Sequence, residues 1–231
     1  MAGHPWHLRH IRGIIYIGLV IAIISIFVVS YQGVSEGTPV NVSVREYSGL
    51  WALALLLASM LPGPLNYVFP WLPLRGHLVL GRRALGVSAF VFAVLHVISY
   101  LGPTLATNWH ELYTPGKLWG SGLMLGIPLF IDMAVLAFTS RNKAVRNMGP
   151  HKWKKWHKTV YILLPLVLVH AIFLGADFGV NHGPDVKAGS DAGALVTMLI
   201  LTAVWLALFL LRKYKVRLAP QRLRRISASS K

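Results

Sequence analysis

The sequence predicts an all-α, polytopic membrane protein built as a bundle of six transmembrane helices. Three observations carry this prediction. Hydrophobic residues make up 55% of the chain and charged residues only 13%, against roughly 25% charged residues in ordinary soluble domains. Six apolar runs, each near the ~20 residues that a spanning helix needs, fall at 13–31, 48–69, 84–102, 119–139, 158–176 and 192–211. The charges between these runs are segregated, alternate connections being basic and basic-poor.

Taken in order, the 13–31 run has no small-x-small cleavage pattern after it, so a retained anchor is expected rather than a removable signal peptide. Arg9 and Arg12 precede it, Arg75, Arg82 and Arg83 lie between spans 2 and 3, and seven basic residues from Arg141 to Lys158 lie between spans 4 and 5. Eight more follow Leu211. Twenty basic residues therefore share one side, while the other side holds Arg45, Lys117 and Lys187 with six of the seven acidic residues. Cytoplasmic loops carry the excess Lys and Arg in membrane proteins, which places both termini in the cytoplasm. The chain divides into a membrane domain, 1–211, and a basic cytoplasmic tail, 212–231. Trp6, Trp71, Trp109, Trp119, Trp153 and Trp156 lie near span ends, where interfacial anchors belong. Gly122 and Gly126 form a GxxxG pair in span 4, a helix-packing pattern.

The formal net charge of +16, from 23 Lys+Arg against 7 Asp+Glu, would in a soluble protein suggest nucleic acid. Here the basic residues sit in short connections beside spans, so topology accounts for them, and the expected contact is the lipid membrane and its anionic headgroups. No nucleic-acid partner is expected. Cysteine is absent, which excludes disulfides, iron–sulfur clusters, covalent CxxCH haem and thiolate zinc sites.

Ionisable side chains within spans are functional candidates. Span 3 carries His96, span 4 Asp132, span 5 His170, with His157 just ahead of it. His96 lies 14 residues after Arg82, and His170 lies 13 after His157. At 1.5 Å per residue both separations are about 20 Å. Spans 3 and 5 run in the same direction, so His96 and His170 are expected at one depth in the outer half, with His157 and Arg82 near the inner surface. Two facing imidazoles suit the axial positions of a non-covalent b-type haem; two interhelical hydrogen-bonders fit the same spacing, and spacing alone leaves both readings open. On an ideal helix His157 and His170 lie about 140° apart, a phase that Pro165 between them can shift. Asp132 is expected to partner Arg82 or Arg83. The HxxHxxH run of His4, His7 and His10, and the connection residues His110, His151 and His182, read as solvated rather than metal-binding, though His151 could serve an inner cofactor and His77 is a weaker candidate of the same kind.

The stretches GRRALGVSAFVFAVLHVISYL (81–101) and LAFTSRNKAVRNMGPHKWKKWHKTVYILLPLVLVHAIFL (136–174) resemble the MsrQ (YedZ) family of the ferric-reductase-like transmembrane superfamily. The likeness lies in the RR-x-LG start, the single histidine of span 3, the LAFTS end of span 4, and W-x-x-W-H-x-x-VY followed by a further histidine. Elsewhere it reduces to hydropathy and length. The resemblance implies a six-helix haem-b protein of the bacterial inner membrane. Such a protein passes electrons from a cytoplasmic-side donor or the quinone pool to MsrP, a periplasmic molybdopterin enzyme that repairs methionine sulfoxide. FMN or a cytoplasmic flavin reductase is associated with some members. By the same resemblance His96 and His170 match the outer haem ligands, and His157 matches a third histidine linked to an inner or shared haem, so one or two haems are implied. Relatives with two stacked haems carry a second histidine on helix 3, at a level occupied here by Arg82 and Arg83. Arginine suits haem propionates and not iron; simple topology-setting charge explains the same pair equally well.

The expected role is an electron-transfer subunit rather than a self-contained enzyme. Two alternatives use the same sequence features: a ferric-reductase-like oxidoreductase with another external acceptor, and a haem-free transporter or scaffold in which His96 and His170 only pack.

Overall fold

A computed structural model of the chain describes residues 10–71, 75–107, 122–174 and 199–214, and every regular element among them is helical. Helix α1 is Ile11–Gln32, α2 Val40–Met60, α3 Pro62–Val68, α4 Arg75–Thr107, α5 Leu123–Thr139, α6 Asn142–Met148, α7 Pro150–Trp156 and α8 Val160–Leu174; α9 covers 199–214.

The α1–α2 connection is tighter than the apolar runs imply. A 3-10 turn, Gly33–Glu36, leads to Gly37 at φ 86°, whose N–H donates to Val34 O at 3.0 Å. That left-handed conformation is open to glycine at little cost, and it returns the chain directly into α2. Helix α2 therefore starts at Val40, eight residues before the predicted span 2, and carries Arg45 and Glu46 within it. Likewise α4 has 33 residues, about 50 Å at 1.5 Å each, longer than the ~30 Å hydrocarbon layer. Arg82 and Arg83 are thus on the helix and not in a connection.

Three stretches are long and apolar enough to cross a membrane by length and composition, Ile11–Ser35, Val40–Val68 and Gly76–Pro103; α5 with α6 makes a fourth if the pair, bent by 91°, counts as one. Helix α8 is equally apolar in sequence but has 15 residues, and predicted span 6 is described only from residue 199. The surface fits a membrane solvent. Along α1, Ile14, Ile17, Val20, Ile21 and Ile24 are all more than half exposed, an apolar face that a soluble monomer would not leave uncovered.

Helices α2 and α4 form the central pair, with α1 against both. Small side chains let them approach. Ala84, Ser88 and Ala89 of α4 and Ser48 of α2 are essentially inaccessible, and Gly86 lies against Ser59. Close backbone approach of this kind, rather than hydrophobic transfer, drives helix association in lipid. The Ser48 and Ser59 hydroxyls donate to carbonyls of their own helix, Val44 O and Leu56 O, so the interface buries no unsatisfied group at these two positions. One core joins Leu53, Leu57 and Met60 of α2, Ala89 and Ala93 of α4, Leu129 and Met133 of α5, Leu163 and Leu164 of α8 and Trp205 of α9.

The two span-4 glycines do not form a packing motif. Gly122 lies outside α5 as its N-cap, at φ 73°, and Gly126 has another use, described below. Of the expected tryptophan anchors, Trp71 and Trp156 are well exposed. Trp153 instead donates its indole N–H to Thr139 O at 3.0 Å, tying α7 to the end of α5. Trp6, Trp109 and Trp119, and His4, His7, His110 and His182, lie outside the described residues.

Candidate functional site

His96 follows Ala89, Phe92 and Ala93 on the buried stripe of α4, and His170 follows Leu163 and Val167 on that of α8. Residues spaced by three, four and seven share a helix face, so each histidine is carried inward by the apolar pattern before it. Helix α4 packs along α2 and α1, while α8 packs along α5 and α2. The two imidazoles meet between them, ring centres 6.3 Å apart and planes at 78°.

Each ring rests on a glycine of a third helix. A Cβ at Gly49 of α2 would stand 3.0 Å from His96 Nδ1, and one at Gly126 of α5 would stand 3.3 Å from His170 Cε1. Gly49 lets the His96 ring lie against the α2 backbone, where Nδ1–H donates to Arg45 O at 2.8 Å. A carbonyl only accepts, so this bond places the proton on Nδ1 and leaves the Nε2 lone pair for a further partner. That arrangement is how proteins orient ligating histidines. His170 Nδ1 is buried without a hydrogen-bond partner. Nothing in its packing uses that nitrogen, although buried polar atoms are normally paired.

These features fit a haem. Nitrogen ligands bind transition metals at about 2 Å, so ring centres 6.3 Å apart would leave room for one metal ion held by both rings. Among the described residues no group of three or more His, Asp or Glu side chains is placed to hold a bare metal ion. The donor set is a pair of imidazoles, which would suit a haem iron.

His157 belongs elsewhere. It is the C-cap of α7, and residues 157–159 form a turn before α8 begins at Val160, so the single-helix phase relation to His170 does not apply. Its ring stacks on Trp153, ring centres 4.0 Å apart, and Nδ1–H donates to Trp153 O at 3.1 Å. Ser140 Oγ, 3.5 Å from Nε2, gives its proton to Leu136 O. Burial holds the His157 pKa below the usual value, with a smaller push from the Arg83 and Arg82 charges, against the hydrogen bond to Trp153 O.

Arg83 joins this second cluster, its Nη1 donating to Asn142 Oδ1 at 2.8 Å and its guanidinium lying 5.0 Å over the Trp153 ring. Arg82 is exposed. Both lie on α4 13 or 14 residues before His96, about 20 Å along the helix. The structure therefore groups Arg83 with His157 and not with the His96–His170 pair. Asp132 is not the partner of either arginine: no ion pair joins them among the described residues, and its Oδ1 accepts from Thr159 Oγ1 at 3.0 Å. The carboxylate is turned toward Thr159, in the turn that leads into α8, and a hydroxyl is what that side offers.

Gly49 and Gly126 are the site residues that sequence reasoning missed. The available signal was a glycine inside an apolar run at the depth of a histidine on another span. In α2 Gly49 interrupts SVREYSGLWALALL with no turn to explain it.

Fold and site together define a membrane-embedded helical protein with a histidine pair set between its spans. A family model described as "Ferric reductase like transmembrane component" matches residues 48–169, a stretch that contains His96 and His157 and ends one residue before His170. The chain is 31% identical over 175 residues to the protein-methionine-sulfoxide reductase heme-binding subunit MsrQ of Caulobacter vibrioides, covering 76% of this chain and 77% of that protein. It is 31% identical to the MsrQ of Azospira oryzae over 128 residues, covering about half of each. It is also 32% identical over 130 residues to the magnetosome protein MamZ of Paramagnetospirillum magneticum, of which it spans 19%. This chain belongs to the MsrQ family of ferric-reductase-like transmembrane proteins.

Proposed function

We propose that this chain is a b-type haem electron-transfer subunit. It would carry electrons across the bacterial inner membrane from a cytoplasmic-side donor or quinol to a periplasmic methionine-sulfoxide reductase of the MsrP type. The observation that carries the reading is the His96–His170 pair, two imidazoles from different helices at a separation that fits one metal. The names of the MsrQ relatives, heme-binding subunits of a reductase, support it. Six spans with both termini in the cytoplasm follow from the segregation of basic residues.

In this reading His96 and His170 bind the haem iron, which when bound supplies one-electron redox chemistry. The Arg45 carbonyl fixes the His96 tautomer and ring orientation. Gly49 and Gly126 hold the rings at their positions, and the apolar core from α2, α4, α5 and α8 keeps water from them. We assign one haem per chain, held by the His96–His170 pair, with His157, Arg82 and Arg83 lining the donor end.

The test is a reduced-minus-oxidised absorption spectrum with pyridine-haemochrome stoichiometry on protein from haem-replete cells. One low-spin b-type haem per chain is expected, and His96→Ala and His170→Ala should each abolish it while His157→Ala retains it. Absence of b-type bands would refute haem binding. Two haems lost one at a time by the two variants would refute shared ligation.

A further inference from the structure

At the basic end of the bundle a half-open groove of about 450 Å³ runs between α1, α4 and the α5–α6 junction. Its rim is built from three guanidiniums drawn from three distant parts of the sequence, Arg12, Arg83 and Arg141. No lining residue is acidic. A guanidinium carries five N–H donors, and each of the three uses one within the described structure. Arg12 Nε donates to Leu80 O at 3.4 Å, Arg83 Nη1 to Asn142 Oδ1 at 2.8 Å and Arg141 Nε to Phe138 O at 3.2 Å. Three guanidiniums thus line one groove with most of their donors uncommitted. Like charges brought together destabilise one another, and a bound anion would relieve this.

Beneath the rim the groove turns apolar. Tyr16 lies one turn inward from Arg12 on α1, Val87 and Phe90 lie one and two turns inward from Arg83 on α4, and Ala137 and Phe138 close it from α5. From Arg83 to Phe90 is about 10 Å along the helix, directed into the hydrocarbon layer. Phe90 packs against Phe138 with ring centres 5.8 Å apart, so this floor is a built surface and not a loose gap. A charged mouth continuous with an apolar trough inside the bilayer is the shape of an anionic amphiphile.

We propose that this groove binds one anionic phospholipid, its phosphodiester held by Arg12, Arg83 and Arg141 and the start of an acyl chain lying over Val87, Phe90 and Phe138. The site does not include the histidine pair, and its test by lipid retention does not depend on haem binding. Bound lipid would fasten α1, which otherwise buries little, to α4 and α5. Through Arg83 it would touch the segment that carries Trp153 and His157.

The full-length protein, purified in neutral detergent and stripped of lipid, is titrated with phosphatidylglycerol and with phosphatidylcholine of the same chains, and retained lipid is counted by native mass spectrometry. One phosphatidylglycerol is expected to be retained at least about ten-fold more tightly than phosphatidylcholine, since each nearby arginine contributes roughly five-fold. Arg83→Gln and Arg141→Gln should each weaken retention about five-fold. Lys152→Gln, an exposed charge at the same end, should leave it unchanged. Val87→Trp keeps every charge but fills the trough and should also lose the lipid, which separates a built site from net charge. Arg141 is exposed and Arg141→Gln carries the test if Arg83→Gln does not fold. Equal retention of the two lipids, an effect of Lys152→Gln equal to that of Arg141→Gln, or no effect of Val87→Trp would overturn the proposal. Displacement of the lipid by inorganic phosphate or FMN would also overturn it, showing a site for a free phosphate compound.

Discussion

Gly49→Ala is expected to unseat His96 while leaving α2 a helix. The added Cβ would stand 3.0 Å from His96 Nδ1 and 3.2 Å from Cε1, where ordinary contacts begin at 3.4 Å, so the ring must yield by about 0.4 Å. It cannot yield freely, because Nδ1–H is bonded at 2.8 Å to Arg45 O, one turn before Gly49 on the same helix. A shift of that size along the bond takes it to about 3.2 Å, the edge of a good hydrogen bond. Overpacking of a filled interior typically costs about 1–3 kcal/mol, and replacing glycine by alanine within a helix offsets about 0.5–1 kcal/mol. The net expectation is a loss of about 1 kcal/mol together with a changed haem environment. Gly18→Ala is the control, since nothing lies within 4 Å of a Cβ there; it should gain about 0.5–1 kcal/mol with an unaltered spectrum. Both variants are measured by SDS-induced unfolding and by reduced-minus-oxidised absorption. A Gly49→Ala protein with a wild-type spectrum and the stability gain of Gly18→Ala would show that His96 is not held against the α2 backbone.

The remaining predictions concern separate parts of the bundle. Gly126→Ala meets His170 Cε1 at 3.3 Å, needs only about 0.1 Å of movement, and should perturb the same spectrum less than Gly49→Ala does. Thr159→Val removes the hydroxyl bonded to Asp132 and should cost about 0.6 kcal/mol, the scale of side-chain hydrogen bonds between elements of a membrane bundle. Asp132→Asn keeps an acceptor and should be closer to wild type; SDS unfolding ranks the two. Arg83→Lys should lose the Asn142 bond and the stack over Trp153, and about 1 kcal/mol with them, whereas Arg82→Lys should be silent in the same assay. Trp153→Phe keeps the ring under His157 but loses the N–H bond to Thr139 O. It should therefore speed proteolysis of the 140–159 segment without removing the haem bands.

Much of the architecture is legible in the sequence, for identifiable reasons. The apolar runs mark helices because a backbone in lipid must satisfy its own hydrogen bonds, and α1 reproduces predicted span 1 to within two residues at its start. The boundaries of spans 2 and 3 were not legible. Polar residues such as Arg45 and Arg82 end an apolar run without ending a helix, and α2 and α4 continue past them. The GxxxG reading failed because spacing says nothing about backbone φ, and Gly122 is a cap in the left-handed region. Pairing Asp132 with an arginine failed because opposite charge was weighed without knowing which face of α5 the carboxylate occupies; that face meets Thr159.

By itself the sequence determined that this is an all-helical membrane protein, and that His96 and His170 are imidazoles at matched depth. Those properties follow from the one-dimensional order of residues, through a rise of 1.5 Å per residue and the hydrocarbon thickness. What only the tertiary structure decided is lateral. It set which helix faces which, that the two rings meet at 6.3 Å, that Gly49 and Gly126 seat them, and that Arg83 belongs with His157 and the groove rather than with the His96–His170 pair. Depth along a helix is written in residue count. Rotation and neighbour are settled by how small residues such as Ala89, Ser48 and Gly86 let particular helices approach, and that is a property of the packed bundle.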